Sequence, residues 1–247
     1  FDQKFLPIFS MLYGAGIVLM ADRAEAKGRP IAGLWYRRSF WLLVIGAAHA
    51  YLIWFGDILF PYALIGMLAF LFRNRSPRAL IITGCVFLLI GMLMSYGGGM
   101  QMQVLQAESA EISAQAETGE EISEQQPETL DAWEEMRLFV GPPEAIVARD
   151  IEAYSQGYAH IVAYRAPQVL QMQTQAVPFF LLWRVGGLML LGMALMKLGI
   201  FSATRSEAFY RRLMLAGYVV GFPVVIFSAL FLHANAWEPM FTFKLGQ

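Results

Sequence analysis

Cysteine is nearly absent from this chain: Cys85 is the only one in 247 residues. That excludes a disulfide framework and a cysteine-rich metal site. Histidine is scarce too. His49, His160 and His233 are scattered, with no carboxylate at ligand spacing, which argues against a metal centre. Charge is the third shortage. Charged residues make up 15% and hydrophobic ones 57%, against about 25% and about 45–50% in an ordinary soluble domain. A soluble globular enzyme and a wholly disordered chain are both excluded. The net charge of −1 offers no global field for nucleic acid. No Walker A loop, dinucleotide fingerprint or Gly-x-Ser-x-Gly elbow is present. No stretch reads as a cleavable signal peptide. The chain starts at Phe1 and stops at Gln247, and is expected to be the middle of a larger bundle.

What is present is long apolar runs. A membrane span needs roughly 20 mostly apolar residues. Six candidates are expected, at 5–21, 39–55, 58–72, 79–96, 177–198 and 213–234. The fold class that follows is an all-α polytopic transmembrane bundle of about six spans. The third segment is short, bounded by Asp57 and Arg73, and reads as a thin or tilted span. The loops 22–38, 73–78 and 197–212 hold twelve of the 18 basic residues. Six crossings put all twelve on one face, which the positive-inside rule makes cytoplasmic. The organisation expected is helices 1–4 over 1–96, an acidic extracytoplasmic insert over 97–176, and helices 5–6 with an outer tail over 177–247.

The insert carries thirteen of the 19 acidic residues between Glu108 and Glu152. Its stretch 107–129 reads either as a solvated helix or as a disordered insert. Pro142 and Pro143 interrupt it. Residues 144–175 then read as one amphipathic helix, with Ile146, Val147, Ile151, Tyr154 and Tyr158 near helical spacing. It would lie on the outer mouth of the bundle. No internal repeat or inverted two-fold pattern is visible.

Charges inside a bilayer are expensive and mark candidate sites. Arg184 falls about a third of the way into the fifth span. It stays charged, so it must face a carboxylate, carbonyls, water or an anionic ligand. A structural ion pair or snorkelling is the competing reading. Asp57 sits at the turn between the second and third spans. It reads as the N-cap of the third, with Pro61 in the first turn, or as a ligand-binding or catalytic carboxylate. It is also the plainest partner for Arg184. His49 reads as mid-span, a base, a proton relay or a packed hydrogen-bonding group. Continued helix would put it about 12 Å from Asp57 along the axis, sharing a cavity without touching. His49 and Asp57 are the catalytic candidates. Arg184 with the neighbouring aromatics Trp54, Tyr62 and Trp183 are the substrate-binding candidates; no metal or bound cofactor is called for. Gly14, Gly16, Gly186, Gly187 and Gly192 leave room for close helix approach. Gly217 and Gly221 match small-xxx-small, read as packing rather than dimerisation. Pro223 should kink the sixth span.

The order of motifs resembles a known family. Phe9-Ser10-Met11-Leu12-Tyr13-Gly14-Ala15-Gly16 precedes a basic loop ending Tyr36-Arg37-Arg38. Then come His49-Ala50-Tyr51-Leu52-Ile53-Trp54-Phe55-Gly56-Asp57-Ile58-Leu59 and Tyr62-Ala63-Leu64. Gly157-Tyr158 with Arg165 follows, then the run from Leu182 through Trp183-Arg184-Val185-Gly186-Gly187 to Leu195. This resembles the YeiB-like bacterial inner-membrane family, which carries domain of unknown function 418. That family is distantly similar to membrane acyltransferases, including the heparan-alpha-glucosaminide N-acetyltransferase group. The resemblance implies more helices than this chain holds, and an important histidine upstream of Phe1. It implies acyl-CoA as a donor substrate and the bacterial inner membrane as location. Two other functions stay open: a transporter or exporter of a small anionic metabolite, and a non-enzymatic membrane partner using the acidic segment. The partners expected are the lipid bilayer and a small-molecule substrate, with no nucleic acid; self-association into a homo-oligomer is left open.

Overall fold

The structure, a computed structural model, describes residues 5–118, 126–140 and 144–234, with side chains described over 5–115, 126–133 and 147–234. The Pro142–Pro143 break, residues 119–125 of the acidic stretch, the tail from 235 onward and the side chain of Ile146 lie outside the described residues. Those described are helical, with no strand among them. The order is α1 (Phe5–Glu25), α2 (Ile31–Leu52), α3 (Leu59–Ala69) with a 3-10 turn (Phe70–Phe72), α4 (Pro77–Thr118), α5 (Gln126–Val140) and α6 (Glu144–Ser155). After these come α7 (Tyr158–Gln171), a π-helical stretch (Met172–Leu181), α8 (Leu182–Lys197) and α9 (Glu207–Ala234). Four stretches are long and apolar enough to cross a membrane: Phe5–Glu25, Pro77–Gln115, Tyr158–Lys197 and Glu207–Ala234. This is a membrane protein of all-α class. Helix α2 is 22 residues long, with Arg37 and Arg38 in its first half. Leu59–Phe72 is apolar but short.

Local chemistry explains where the helices start and stop. Ser76 accepts from the Ala79 N–H at 3.3 Å, and Pro77 occupies the first helical position of α4, where its missing N–H costs nothing. Ser206 caps α9 through the Phe209 N–H at 3.3 Å. Gly28 (φ +61°) and Gly199 (φ +76°) end α1 and α8. Each lies where the chain turns left-handed, and the next N–H reaches back to a carbonyl five residues earlier: Arg29 to Ala24, Ile200 to Leu195.

Two expectations need correcting. The helix of the fourth span does not end near Tyr96, because α4 runs unbroken to Thr118. No proline interrupts that stretch, and its Ala, Glu, Gln and Met are strong helix formers that carry the helix past Gly97, Gly98 and Gly99. The described part of 107–129 is therefore helix. Likewise 144–175 is not one helix. Gly157 (φ +99°) separates α6 from α7, and α7 continues through the π-helical stretch into α8. Its i→i+5 spiral contains Pro178, which has no N–H to give to an ordinary helical ladder.

The chain divides into two compact units. One comprises Phe1–Met92 and Ala159–Leu213. Its core is Ile17, Val18, Trp35, Tyr62, Ile65, Phe70, Val185 and Met189 with their neighbours. Trp35 stacks on Phe70 at 5.6 Å, and Tyr13 meets both Trp35 and Tyr62 edge-on at 5.7 Å. Glycine sets the closest approaches. A Cβ at Gly14 would overlap the Met189 carbonyl, and one at Gly192 the Met11 carbonyl, so α1 and α8 touch backbone to backbone. Gly84 and Gly187 do the same for α4 and α8. The basic stretches flank one end of this unit. Arg38 reaches Met20, Tyr36 reaches the Met67 carbonyl, and Lys197 Nζ donates to the Arg75 carbonyl at 2.9 Å. The other unit comprises Leu93–Tyr158 and Met214–Gln247. There Met102, Ser109 and Ile112 of α4 and Ala153 of α6 are buried, and Gln126 bonds Gln115 at 3.1 Å. Gly217 and Gly221 do not pack as the motif suggested: nothing among the described residues lies within 4 Å of a Cβ at either.

Candidate functional site

The end of the first unit away from its basic stretches is where the polar groups gather. Helix α2 stops at Leu52, and the Ile53 and Trp54 N–H groups both turn back to the His49 carbonyl. The chain then reverses through residues 53–58. Asp57 starts α3 by accepting the Phe60 N–H on Oδ2 at 2.7 Å. The same reversal brings its Oδ1 to His49 Nδ1 at 2.9 Å. His49 and Asp57 therefore touch, against the expectation of 12 Å. That distance assumed continued helix, whereas His49 lies in the last turn of α2 and not in mid-span. Asp57 is both the cap and the partner of a histidine.

An ionised Asp57 accepts on both oxygens, and its contact with His49 then puts the hydrogen on Nδ1 and leaves the lone pair on Nε2 in neutral His49. The Asp57 side chain is 2% exposed and that of His49 31%, so the imidazole is the member that can meet another molecule. A small cavity adjoins Asp57. Ala50, Phe55, Asp57, Phe60 and Pro61 form one wall; Val169, Gln173, Val177 and Leu181 form the other. It holds about 10 Å³, room for roughly one water molecule.

The other candidates are spread out. Trp54 shares the reversal, its ring against Gly56, and is largely exposed. Tyr62 is buried among α1 and α3; its hydroxyl meets Ser10 Oγ at 2.7 Å and the Leu6 carbonyl at 3.1 Å. Trp183 packs on Phe87 at 5.2 Å and against Gly91, its indole N–H buried without an acceptor among the described residues. Arg184 follows it at this α4–α8 contact. The Asp57 oxygens meet His49 and the Phe60 N–H, so the side-chain partner the structure gives Asp57 is His49, where the sequence suggested Arg184. Among the described residues no three His, Cys, Asp or Glu side chains group so as to hold a metal ion.

Two residues of this corner, Arg165 and Gln173, were not among the candidates, although Arg165 stands in the motif order. Arg165 on α7 is 8% exposed. Its Nη1 donates to the Ile53 carbonyl at 3.4 Å, at the C-terminus of α2, where a cation suits the helix dipole. Its guanidinium lies over the Phe55 ring at 5.4 Å. Its Nε and Nη2, and Nε2 of Gln173, are buried with no acceptor among the described residues. One signal was available: Arg165 is the only Lys or Arg between Arg149 and Arg184.

Three relatives place the chain. It is 26% identical over 243 residues to the uncharacterized protein YeiB of Escherichia coli, covering 95% of this chain and 52% of YeiB. It is 48% identical over 81 residues to the uncharacterized protein YxaH of Bacillus subtilis, covering 33% of this chain and 20% of YxaH. It is 36% identical over 88 residues to an uncharacterized 39.9 kDa protein of the amylase 3′ region of Bacillus acidopullulyticus, covering 36% and 25%. The chain spans about half the length of YeiB and less of the other two. No family model matches, and no solved structure matches. The chain is thus a distant YeiB-like relative, as its motif order indicated.

Proposed function

We propose that this membrane protein transfers an acyl group from acyl-CoA to an acceptor, with His49 as the base. The observation that carries the reading is the His49–Asp57 pair beside a cavity at a helix end. Asp57 holds the imidazole in the tautomer that leaves Nε2 free to take a proton. An acceptor hydroxyl or amine loses its proton to Nε2 as its oxygen or nitrogen bonds the acyl carbon. The carbon–sulfur bond of the thioester breaks, and the coenzyme A thiolate leaves and is reprotonated. The likeness of the family carrying domain of unknown function 418 to membrane acyltransferases supports this chemistry by analogy. With the basic end cytoplasmic in the bacterial inner membrane, His49 stands on the acceptor side, and the thioester end of the cytosolic acyl-CoA must reach through the bundle to it.

Purified full-length protein given radiolabelled acetyl-CoA and a membrane extract tests the reading. Label should move to an acceptor, and His49→Ala should stop it while the protein stays folded. Absence of both transfer and acyl-CoA binding overturns it. Uptake of a solute into vesicles without its modification would favour transport instead.

A further inference from the structure

A guanidinium buried beyond nine-tenths is expected to use all its N–H groups, because an unmet donor on a buried charge costs stability. Arg165 uses one side only. Nη1 serves the Ile53 carbonyl and the flat face lies on Phe55. The Nε–Nη2 edge has no acceptor among the described residues. That edge is the one whose two parallel N–H groups match a pair of oxygens on a phosphate or carboxylate. A strut that merely tied α7 to the end of α2 would need Nη1 alone.

The surroundings extend the same pattern. Val169 and Gln173 follow Arg165 at intervals of four, so all three fall near one face of the continuous helix. Val169, Gln173 and Phe55 line the cavity, and Gln173 Nε2 is a second buried donor without an acceptor. A cation with an open two-donor edge thus lies over the Phe55 ring, and an amide donor lines the cavity that Phe55 also lines.

We propose that Arg165 and Gln173 form a binding site for an oxyanion-bearing ligand, with the Nε–Nη2 edge of Arg165 taking two of its oxygens. The oxyanion is a phosphate or carboxylate, on a lipid headgroup or on a small solute. The cavity takes only a water-sized group, so the bulk of the ligand lies outside it. The site stands apart from acyl transfer, because binding is read without turnover.

The test uses full-length protein in phosphatidylcholine nanodiscs. Inorganic phosphate and acetate are titrated by calorimetry, and a third arm adds phosphatidylglycerol and reads retained lipid by native mass spectrometry. Saturable binding is expected in at least one arm, and that arm identifies the source. Arg165→Lys keeps the charge but loses the edge, and should weaken binding roughly tenfold or more. Gln173→Leu should weaken it by a smaller factor. No saturable binding to the wild-type protein in any arm overturns the site, as does undiminished binding by both variants. Should Arg165→Lys fail to fold, the wild-type titrations and Gln173→Leu decide: binding that Gln173→Leu leaves undiminished then overturns it.

Discussion

Two regions of the same unit bring helices together in opposite ways. Where α1 crosses α8, Gly14 and Gly192 remove the side chains and backbone meets backbone. Where α2 turns into α3 under α7, the contact is made by His49, Asp57 and Arg165, and it keeps a small cavity and unmet donors. The first contact is close-packed and apolar, with Val185 and Met189 wholly buried beside it. Its tolerance for change is set by volume. The second is looser and polar, and its tolerance is set by which atom gives or takes a hydrogen. A volume change should therefore ruin the first and spare function-neutral positions of the second, while an isosteric polar change should do the reverse.

The largest effect is expected at the crossing. Gly14→Ala places a carbon on the Met189 carbonyl, and Gly192→Ala places one on the Met11 carbonyl. No flexible side chain end can give way there, so each should destabilise by about 3 kcal/mol, the upper part of the usual overpacking range. Gly14→Leu should yield no monodisperse protein. Thermal unfolding of the full-length protein in detergent checks this. A Gly14→Ala variant within about 0.5 kcal/mol of wild type would show that α1 and α8 do not meet through backbone.

At the polar corner, Asp57→Ala removes the cap of α3 and the partner of His49 together, and should cost about 2 kcal/mol. Asp57→Asn separates the two roles. Its amide carbonyl can still accept the Phe60 N–H, so stability should fall by less. Its NH₂ then faces His49 Nδ1, which must accept, and the imidazole hydrogen moves to Nε2. Nitrogen-15 chemical shifts of His49 report that exchange of tautomer. Acyl transfer should fall with it, far more than unfolding temperature does. Equal losses in both readouts would make Asp57 a cap and nothing further.

Tyr62→Phe is a milder probe of the packed side. It removes the hydroxyl shared with Ser10 and Leu6, but Ser10 Oγ keeps its own bond to the Leu6 carbonyl at 2.7 Å. The expected cost is about 1 kcal/mol, with ligand binding and transfer unchanged. A selective rise in KM at unaltered stability would return Tyr62 to the substrate-binding set.

The contrast between the two regions was only half legible in the sequence. Long apolar runs announced the helices, and Gly14 and Gly192 announced a close approach, because both signals are periodic and local. The corner depended on where α2 stops. Apolar residues continue past Leu52 through Phe55, so hydropathy carried the span onward and left His49 in mid-helix, two turns from Asp57. The chain reversal at 53–58 depends on Asp57 capping the next helix, and that cap brings it back to His49. Arg165 was less legible still. Its meaning comes from Ile53 and Phe55, more than a hundred residues earlier, and no local pattern carries such a contact. Arg184 drew attention because it interrupts a span, yet the buried guanidinium with an open edge belongs to the more polar helix before it.

The smallest effect is expected in α9, where Gly217 and Gly221 repeat the spacing of a packing motif without the packing. A Cβ at either position meets nothing within 4 Å among the described residues. The substitution Gly217→Ala or Gly221→Ala then changes only the intrinsic preference of the backbone, which favours Ala by up to about 1 kcal/mol in a helix. Stability should hold or rise slightly, measured by the same thermal unfolding that reads Gly14→Ala. The two glycine pairs so become a calibrated comparison, one with a carbonyl in the way and one with open space. A loss at Gly217 comparable to that at Gly14 would mean that the whole protein covers this face of α9 with another segment or a second copy. The spacing would then be a working interface, and the apolar contrast between α8 and α9 would belong to this portion of the chain alone.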